Sequence, residues 1–307
     1  MNRLYILLSV AALCLSPVLA DTGRATLSVG FSPHLFSDVN EADAVASIKV
    51  WGDTILVRRG IDLTSVPVIY SSSATMREAL EEGSVDLVGM IPQELFGMED
   101  DIGLDHFHFT SLNGRTTEEY ILLVHTDSGI KDLAGLQGKR LGYVDNARMG
   151  VSRVWLETLL LEQGFSDFQE HFREVEGHAK SSKAVLGLFF GKTDACLVMR
   201  TGFETMVELN PQIGRSLHVL QTSPGFIPGL VCFRADCDPD LKREVVAGLK
   251  GLDQDVRGQQ LLMVFQSDKL TEGPIEKLDT TREWFDRHAL LKQNSAGRKA
   301  ETAEGGK

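Results

Sequence analysis

Apolar and polar positions along this chain fall into strand-like and helix-like stretches, and the same order of stretches occurs twice. An apolar segment at 25–31 ends in Ser32, Pro33 and His34. A helical spacing follows, with Ala44, Val45, Ile48, Trp51, Ile55 and Leu56 on one face. A second apolar run at 66–70 ends in Ser71, Ser72 and Ser73 and leads into a short helix through Met76, Ala79 and Leu80. Gly83 is placed to close that helix as its C′ residue, and 86–90 reads as a third strand.

The second half repeats the scheme. Residues 140–144 read as a strand, 145–150 as a loop, and Val151, Val154, Trp155 and Leu159 as one face of a helix ending at Gly164. A weaker strand at 172–175, a helix over 182–190 and a strand at 194–198 follow. Both halves carry helix, Gly, two residues, Asp, strand, as Gly83-Ser-Val-Asp86 and Gly191-Lys-Thr-Asp194. Strands alternating with helices predict parallel α/β sheets. Further strands at 121–125 and 229–233 flank the segments 114–120 and 221–228, where the chain is expected to cross between two lobes. The region 239–291 is helical, with Leu241, Val245, Leu249 and Leu252 in register, and 292–307 carries no apolar pattern and is expected to be a disordered tail.

The start of the chain changes the compartment. Arg3 precedes an apolar run over 4–15, and Val18-Leu-Ala20 precedes Asp21 with the pattern of a cleavage site. At about 12 residues the run is short of the roughly 20 that span a membrane, so residues 1–20 read as a secretory signal peptide cleaved after Ala20. Export to the periplasm is the expectation. In an oxidising compartment the spacing of Cys232 and Cys237 allows a local disulfide, while Cys196 reads as a buried strand residue.

Charge and motifs narrow the function. The chain has 307 residues with 43% hydrophobic and 24% charged, ordinary globular values that suggest two domains. A net charge of −12 and the lack of a basic run argue against nucleic-acid binding. No GxSxG, HExxH or GxGxxG occurs, so neither an enzyme nor a nucleotide cofactor is expected. Gly191-Lys192-Thr193 ends a helix instead of opening one, which makes it a chance match to a phosphate loop. His106 and His108 are expected on one side of a strand without a third ligand, and the acidic stretch from Glu94 to Asp105, lacking EF-hand spacing, reads as a solvated loop. No metal site is expected.

Several longer segments carry a resemblance. They are the stretch from Met76 to Leu87 (MREALEEGSVDL), that from Asp132 to Leu141 (DLAGLQGKRL), Gly177-His178-Ala179 with Gly191-Lys-Thr-Asp194 behind it, and Phe265-Gln-Ser-Asp-Lys-Leu270. In this order, over about 27–273, the chain resembles the phosphate/phosphite/phosphonate-type periplasmic substrate-binding proteins of ABC transporters. The resemblance implies a two-lobed type II periplasmic-binding fold, each lobe a mostly parallel sheet flanked by helices, with the ligand cleft between lobes. Lobe 1 would comprise 21–115 plus 225–291, and lobe 2 would comprise 116–224. It further implies a monomer without cofactor that closes on a small anionic ligand and delivers it to an ABC transporter permease. A periplasmic sensor of the same fold that signals to a membrane kinase is the alternative, and a secreted α/β hydrolase is a third reading.

Ligands of such sheets sit beyond the carboxyl ends of the strands. That rule and the resemblance select Ser32, His34, Tyr70, Ser71, Ser72 and Met90 from lobe 1 and Asn146, Arg148, Met149, His178 and Arg200 from lobe 2. The loop that phosphonate binders write Asp-Pro-x-Ser-x-Ser-Gly is here Asp145-Asn-Ala-Arg-Met-Gly150, one residue shorter and without the proline and both hydroxyls. Arg148 is either their replacement, gripping an oxyanion with its fork of N–H groups, or a solvent-facing loop residue. His178 either binds ligand or caps the following helix. One or more of the serines at 71–73 is expected as an N-cap, and Tyr70 has a strand-core alternative.

Overall fold

The computed structural model describes residues 25–36, 41–52, 63–165 and 167–304. The leader at 1–20 and the helical positions Ile55 and Leu56 lie outside these. The first sheet has six strands in the order β11-β4-β10-β3-β1-β2, formed by β1 (Ala25–Phe31), β2 (Leu63–Ile69), β3 (Leu87–Met90), β4 (Leu104–Ser111), β10 (Leu230–Arg234) and β11 (Lys269–Glu272). The second has five in the order β7-β6-β8-β5-β9, formed by β5 (Tyr120–His125), β6 (Arg140–Val144), β7 (Glu174–His178), β8 (Ala195–Met199) and β9 (Leu217–Thr222). Helices α1 (Glu41–Trp51), α2 (Ser73–Glu81), α3 (Pro92–Phe96), α9 (Pro239–Leu249) and α10 (Val256–Val264) accompany the first sheet. The second carries α4 (Gly150–Glu162), α5 (Phe168–His171), α6 (Ser181–Phe189), α7 (Arg200–Leu209) and α8 (Pro211–Ser216).

The sheets are mixed, where alternating strands and helices predict parallel ones. β1 pairs parallel with β2 and β3, and β6 pairs parallel with β7 and β8. β10 runs antiparallel between β3 and β4, and β5 runs antiparallel between β8 and β9. β5 and β10 are the strands that enter each sheet directly from the other lobe, so they arrive from the opposite end. Lying inside their sheets, they are covered on both faces: β5 buries Tyr120, Ile121, Leu122, Leu123 and Val124 completely.

The repeated Gly-x-x-Asp has a structural reason. Gly83 and Gly191 both take φ of 71°, the left-handed conformation that ends a helix without a Cβ clash. Three residues on, each aspartate meets the backbone of the neighbouring parallel strand. Asp86 Oδ2 accepts from Ser28 N–H at 2.9 Å, and Asp194 Oδ2 accepts from Arg140 N–H at 2.9 Å. The same device thus sets the strand register of both lobes.

Three apolar clusters follow. One fills the second lobe around Trp155, Tyr120 and Leu197, and two cover opposite faces of the first sheet. The alternation of β10 divides these two: Val231 and Phe233 face one, Leu230 and Cys232 the other. Cys237 packs with the Val231 set, so Cys232 and Cys237 lie on opposite faces and are free thiols, not the disulfide their spacing allows.

The C-terminal region departs from expectation. α11 (Asp279–Glu304) continues through the segment read as a disordered tail, because Lys, Gln, Ala, Arg and Glu favour a helix with no apolar period to reveal it. Nor does it stay with lobe 1, to which the sequence assigns 225–291. Trp284 and Phe285 pack on the second-lobe core, and Glu157 on α4 accepts from His288 Nε2 at 2.8 Å and Lys292 Nζ at 2.7 Å. The other side of α11 holds lobe 1, with Arg282 paired to Glu99 and lying 4.4 Å from the centre of the Phe96 ring.

Candidate functional site

Ends of three parallel strands converge on one carboxylate. Ser32 follows β1, Ser73 opens α2 after β2, and Glu94 sits in α3 after β3. Ser32 Oγ and Ser73 Oγ each donate to Glu94 Oε1 at 2.7 Å, and His34 Nδ1 donates to the same oxygen at 2.8 Å. Glu94 Oε2 accepts from Ile91 N–H at 3.1 Å. The carboxylate is 7% exposed, so the solvated loop expected at this end of the acidic stretch is instead an interior site. Hydrogen bonds to an ionised acceptor are roughly twice as strong as neutral ones, which explains how Ser32 tolerates complete burial.

The facing loop belongs to the second lobe. Asn146 caps a single 3-10 turn, its side chain accepting from Met149 N–H at 3.1 Å. The buried Tyr120 hydroxyl donates to the Arg148 carbonyl at 2.8 Å, which anchors the loop from below. Ala147 packs on the first-lobe core, and a Cβ on Gly150 would lie 2.6 Å from Gln93 Nε2. A side chain at 150 would therefore have to displace the end of Gln93. Arg148 Nη1 then donates across the cleft to Gln266 Oε1 at 2.6 Å.

Arg148, 8% exposed, lines a cavity of about 380 Å³ with Ser111, Arg115, Glu118, Arg200 and Thr201. A second opening of about 570 Å³ adjoins it through Met199, Thr201 and Gln266 and adds Asn146, Lys180 and Ser181. The crossing segments form the floor, where Glu118 and Phe226 exchange backbone hydrogen bonds at 2.8 and 2.9 Å. Burial pushes the Glu118 carboxyl above the usual carboxylate range, although hydrogen bonds from Thr201 and the nearby Arg148 charge oppose this. The Arg200 guanidinium is held by Glu119 and by Thr222 Oγ1 at 3.1 Å. The cavity therefore offers three guanidinium groups, hydroxyls and two carboxyls, of which Glu119 pairs with Arg200 and Glu118 is partial to a proton, a set suited to a small anion.

Of the residues selected from sequence, Arg148 and Arg200 line this cavity and Asn146 the adjoining opening. Ser32 and His34 face Glu94. Ser72 caps α2 in a reciprocal box with Thr75, and Ser71 is exposed. Met90 is 0% exposed and Met149 is 1% exposed, both within the apolar cores. The Tyr70 ring lies over Gly30, where a Cβ would come within 2.5 Å of Cε2. His178 neither reaches the cleft nor caps α6, for its Nε2 lies 3.6 Å from where a Gly142 Cβ would be. That places the ring over β6, and burial there of a residue three before a helix leaves no sequence trace. His106, with φ of 49° in an irregular stretch of β4, is exposed while His108 is buried, and both lie on the side of the sheet that carries Phe233 and Glu272. Among the described residues no His, Cys, Asp and Glu group is arranged to hold a metal ion.

Sequence reasoning missed Glu94, Glu118 and Gln266. A signal existed for Glu94, because Pro92 at the first helical position and glutamate two later is a helix-start pattern that points the carboxylate back at the strand end.

Residues 37–276 match the family described as ABC transporter, phosphonate, periplasmic substrate-binding protein. Among solved structures, a Xanthomonas citri protein bound to ATP superposes with a TM-score of 0.64 at 13% identity, covering 88% of this chain and 98% of that one. A binding component of an ABC phosphonate transporter from Pseudomonas aeruginosa gives 0.57 at 13% identity, covering 92% and 100%. PhnD1 from Prochlorococcus marinus in complex with methylphosphonate gives 0.54 at 14% identity, covering 85% and 97%. At these identities the structures establish a shared two-lobed α/β fold.

Proposed function

The chain belongs to the phosphonate-type periplasmic substrate-binding proteins of ABC transporters, and from that premise we propose that it traps a small oxyanion or related acid between its lobes at Arg148. The observation that carries this reading is the Arg148–Gln266 hydrogen bond over a cavity of about 380 Å³. It joins the lobe built on 116–224 to the lobe built on 21–115 and 225–278, so a ligand held by Arg148 is held by both. A volume of this size is at the lower end of small-molecule sites. Hinge bending at 114–120 and 221–228 opens the cleft, and the closed form is delivered to an ABC permease. Residues 1–20 direct export to the periplasm and are removed.

The absent hydroxyls of the 145–150 loop give the site its own character. Relatives of the phosphonate type hold a phosphonate with loop donors, whereas here a buried guanidinium replaces them. Arginine suits planar or tetrahedral oxyanions because it presents two parallel N–H groups. Thermal shift of the purified mature protein against phosphate, phosphite, methylphosphonate, sulfate, methanesulfonate and small carboxylates tests the reading. One class should raise the melting temperature by a few degrees at ~100 times its Kd, and Arg148→Ala should abolish that rise. A response that survives Arg148→Ala, or silence across the panel, overturns it.

A further inference from the structure

Glu94 is a buried charged group that capture at Arg148 does not use. Its carboxylate lies beyond the carboxyl ends of β1, β2 and β3, where open α/β sheets receive their ligands. A glutamate two residues inside a helix needs only the bond from Ile91 N–H to serve as a local cap. The other three donors come from 62, 60 and 21 residues away, through Ser32, His34 and Ser73, and all meet one oxygen. Donors gathered from separate loops onto a single point are what a protein assembles for an oxyanion.

We infer that Ser32, Ser73 and His34 form an oxyanion cradle that this chain fills with its own Glu94 carboxylate. The cradle is separate from the Arg148 cavity, whose lining includes none of these four residues, and it does not rest on the reading given for that cavity.

Glu94→Ala tests the cradle, with formate and acetate as probes. Removing the side chain leaves the three donors around a space of carboxylate size. The variant should gain a saturable rise in melting temperature with formate or acetate, absent from the wild type and lost in the Glu94→Ala/Ser73→Ala double variant. A cooperatively melting Glu94→Ala that shows no such gain overturns the inference. Should that variant not melt cooperatively, Glu94→Gln keeps the volume and removes the charge. A cradle built for an anion requires Glu94→Gln to melt below the wild type at pH 7, and equal melting temperatures would sink the idea. Neither readout involves Arg148, so an unresponsive cargo screen leaves both intact.

Discussion

Removing the charge of Glu157 should loosen α11 from lobe 2 by an amount that the protonation behaviour of this residue sets. Burial pushes the Glu157 carboxyl up, but hydrogen bonds from His288, Lys292 and the Phe168 N–H outweigh it and hold the group at about 2. Against an ordinary value of 4.5, that displacement corresponds to on the order of 3 kcal/mol at about 1.4 kcal/mol per unit. Lys292 is 44% exposed, so solvent screens its share, and we expect about 2 kcal/mol. A carboxylate with a lowered folded value stabilises the fold above its unfolded value, and the contribution is lost as pH falls from 4.5 towards 2. Glu157→Gln should thus cost about 2 kcal/mol at pH 7 in urea unfolding and show a flatter loss of stability across the acid window. Wild-type and variant curves should converge near the bottom of it. A variant as stable as the wild type at pH 7, or one with the same acid slope, would refute the reasoning.

Three further outcomes follow from the site and core. Protonation of Glu118, displaced upward by burial, removes a negative charge from the Arg148 cavity, so affinity for an anion should rise as pH falls from neutral through the upper carboxylate range. Calorimetry with methanesulfonate, which does not itself titrate there, checks this, and affinity that falls or stays level would contradict it. Tyr120→Phe removes the hydroxyl that anchors the Arg148 carbonyl and should cost about 1–2 kcal/mol of stability. Anion binding should weaken along with it, while unchanged binding would show that the 145–150 loop holds its place without the anchor. Cys196, Cys232 and Cys237 should resist a thiol reagent in the native protein and react upon unfolding, because all three are buried and burial raises the Cys237 thiol to about 11. Mass analysis of the exported protein that finds a Cys232–Cys237 bridge would contradict this.

What the sequence made legible was what repeats with a period. β1 and β6 begin and end where the apolar runs do, and the two Gly-x-x-Asp junctions occupy equivalent places in both lobes. The edge strand β7 is less legible. It spans Glu174–His178 against an expectation of 172–175, because an exposed edge carries little apolar signal. The site lies at the far end of this scale. Arg148 stood out because one loop departs from a familiar pattern. Glu94 did not, since its burial depends on the meeting of three chain segments that only the tertiary fold brings together. Likewise, the side to which His178 turns is settled by Gly142 on the neighbouring strand, a relation with no local spacing to reveal it.

The two-sided grip of α11 also bears on motion. A pair of crossing segments, joined here at Glu118 and Phe226, defines a line about which two bodies can swing. α11 is fastened to both bodies beside that line, its Trp284 ring lying 6.2 Å from that of Phe226, and so braces the hinge. Swinging apart then requires one of its fastenings to slip: Arg282 with Glu99 on one side, or Glu157 with His288 and Lys292 on the other. Changes at these fastenings, none of which lines the Arg148 cavity, should accordingly alter how readily the two lobes part without touching the residues around that cavity.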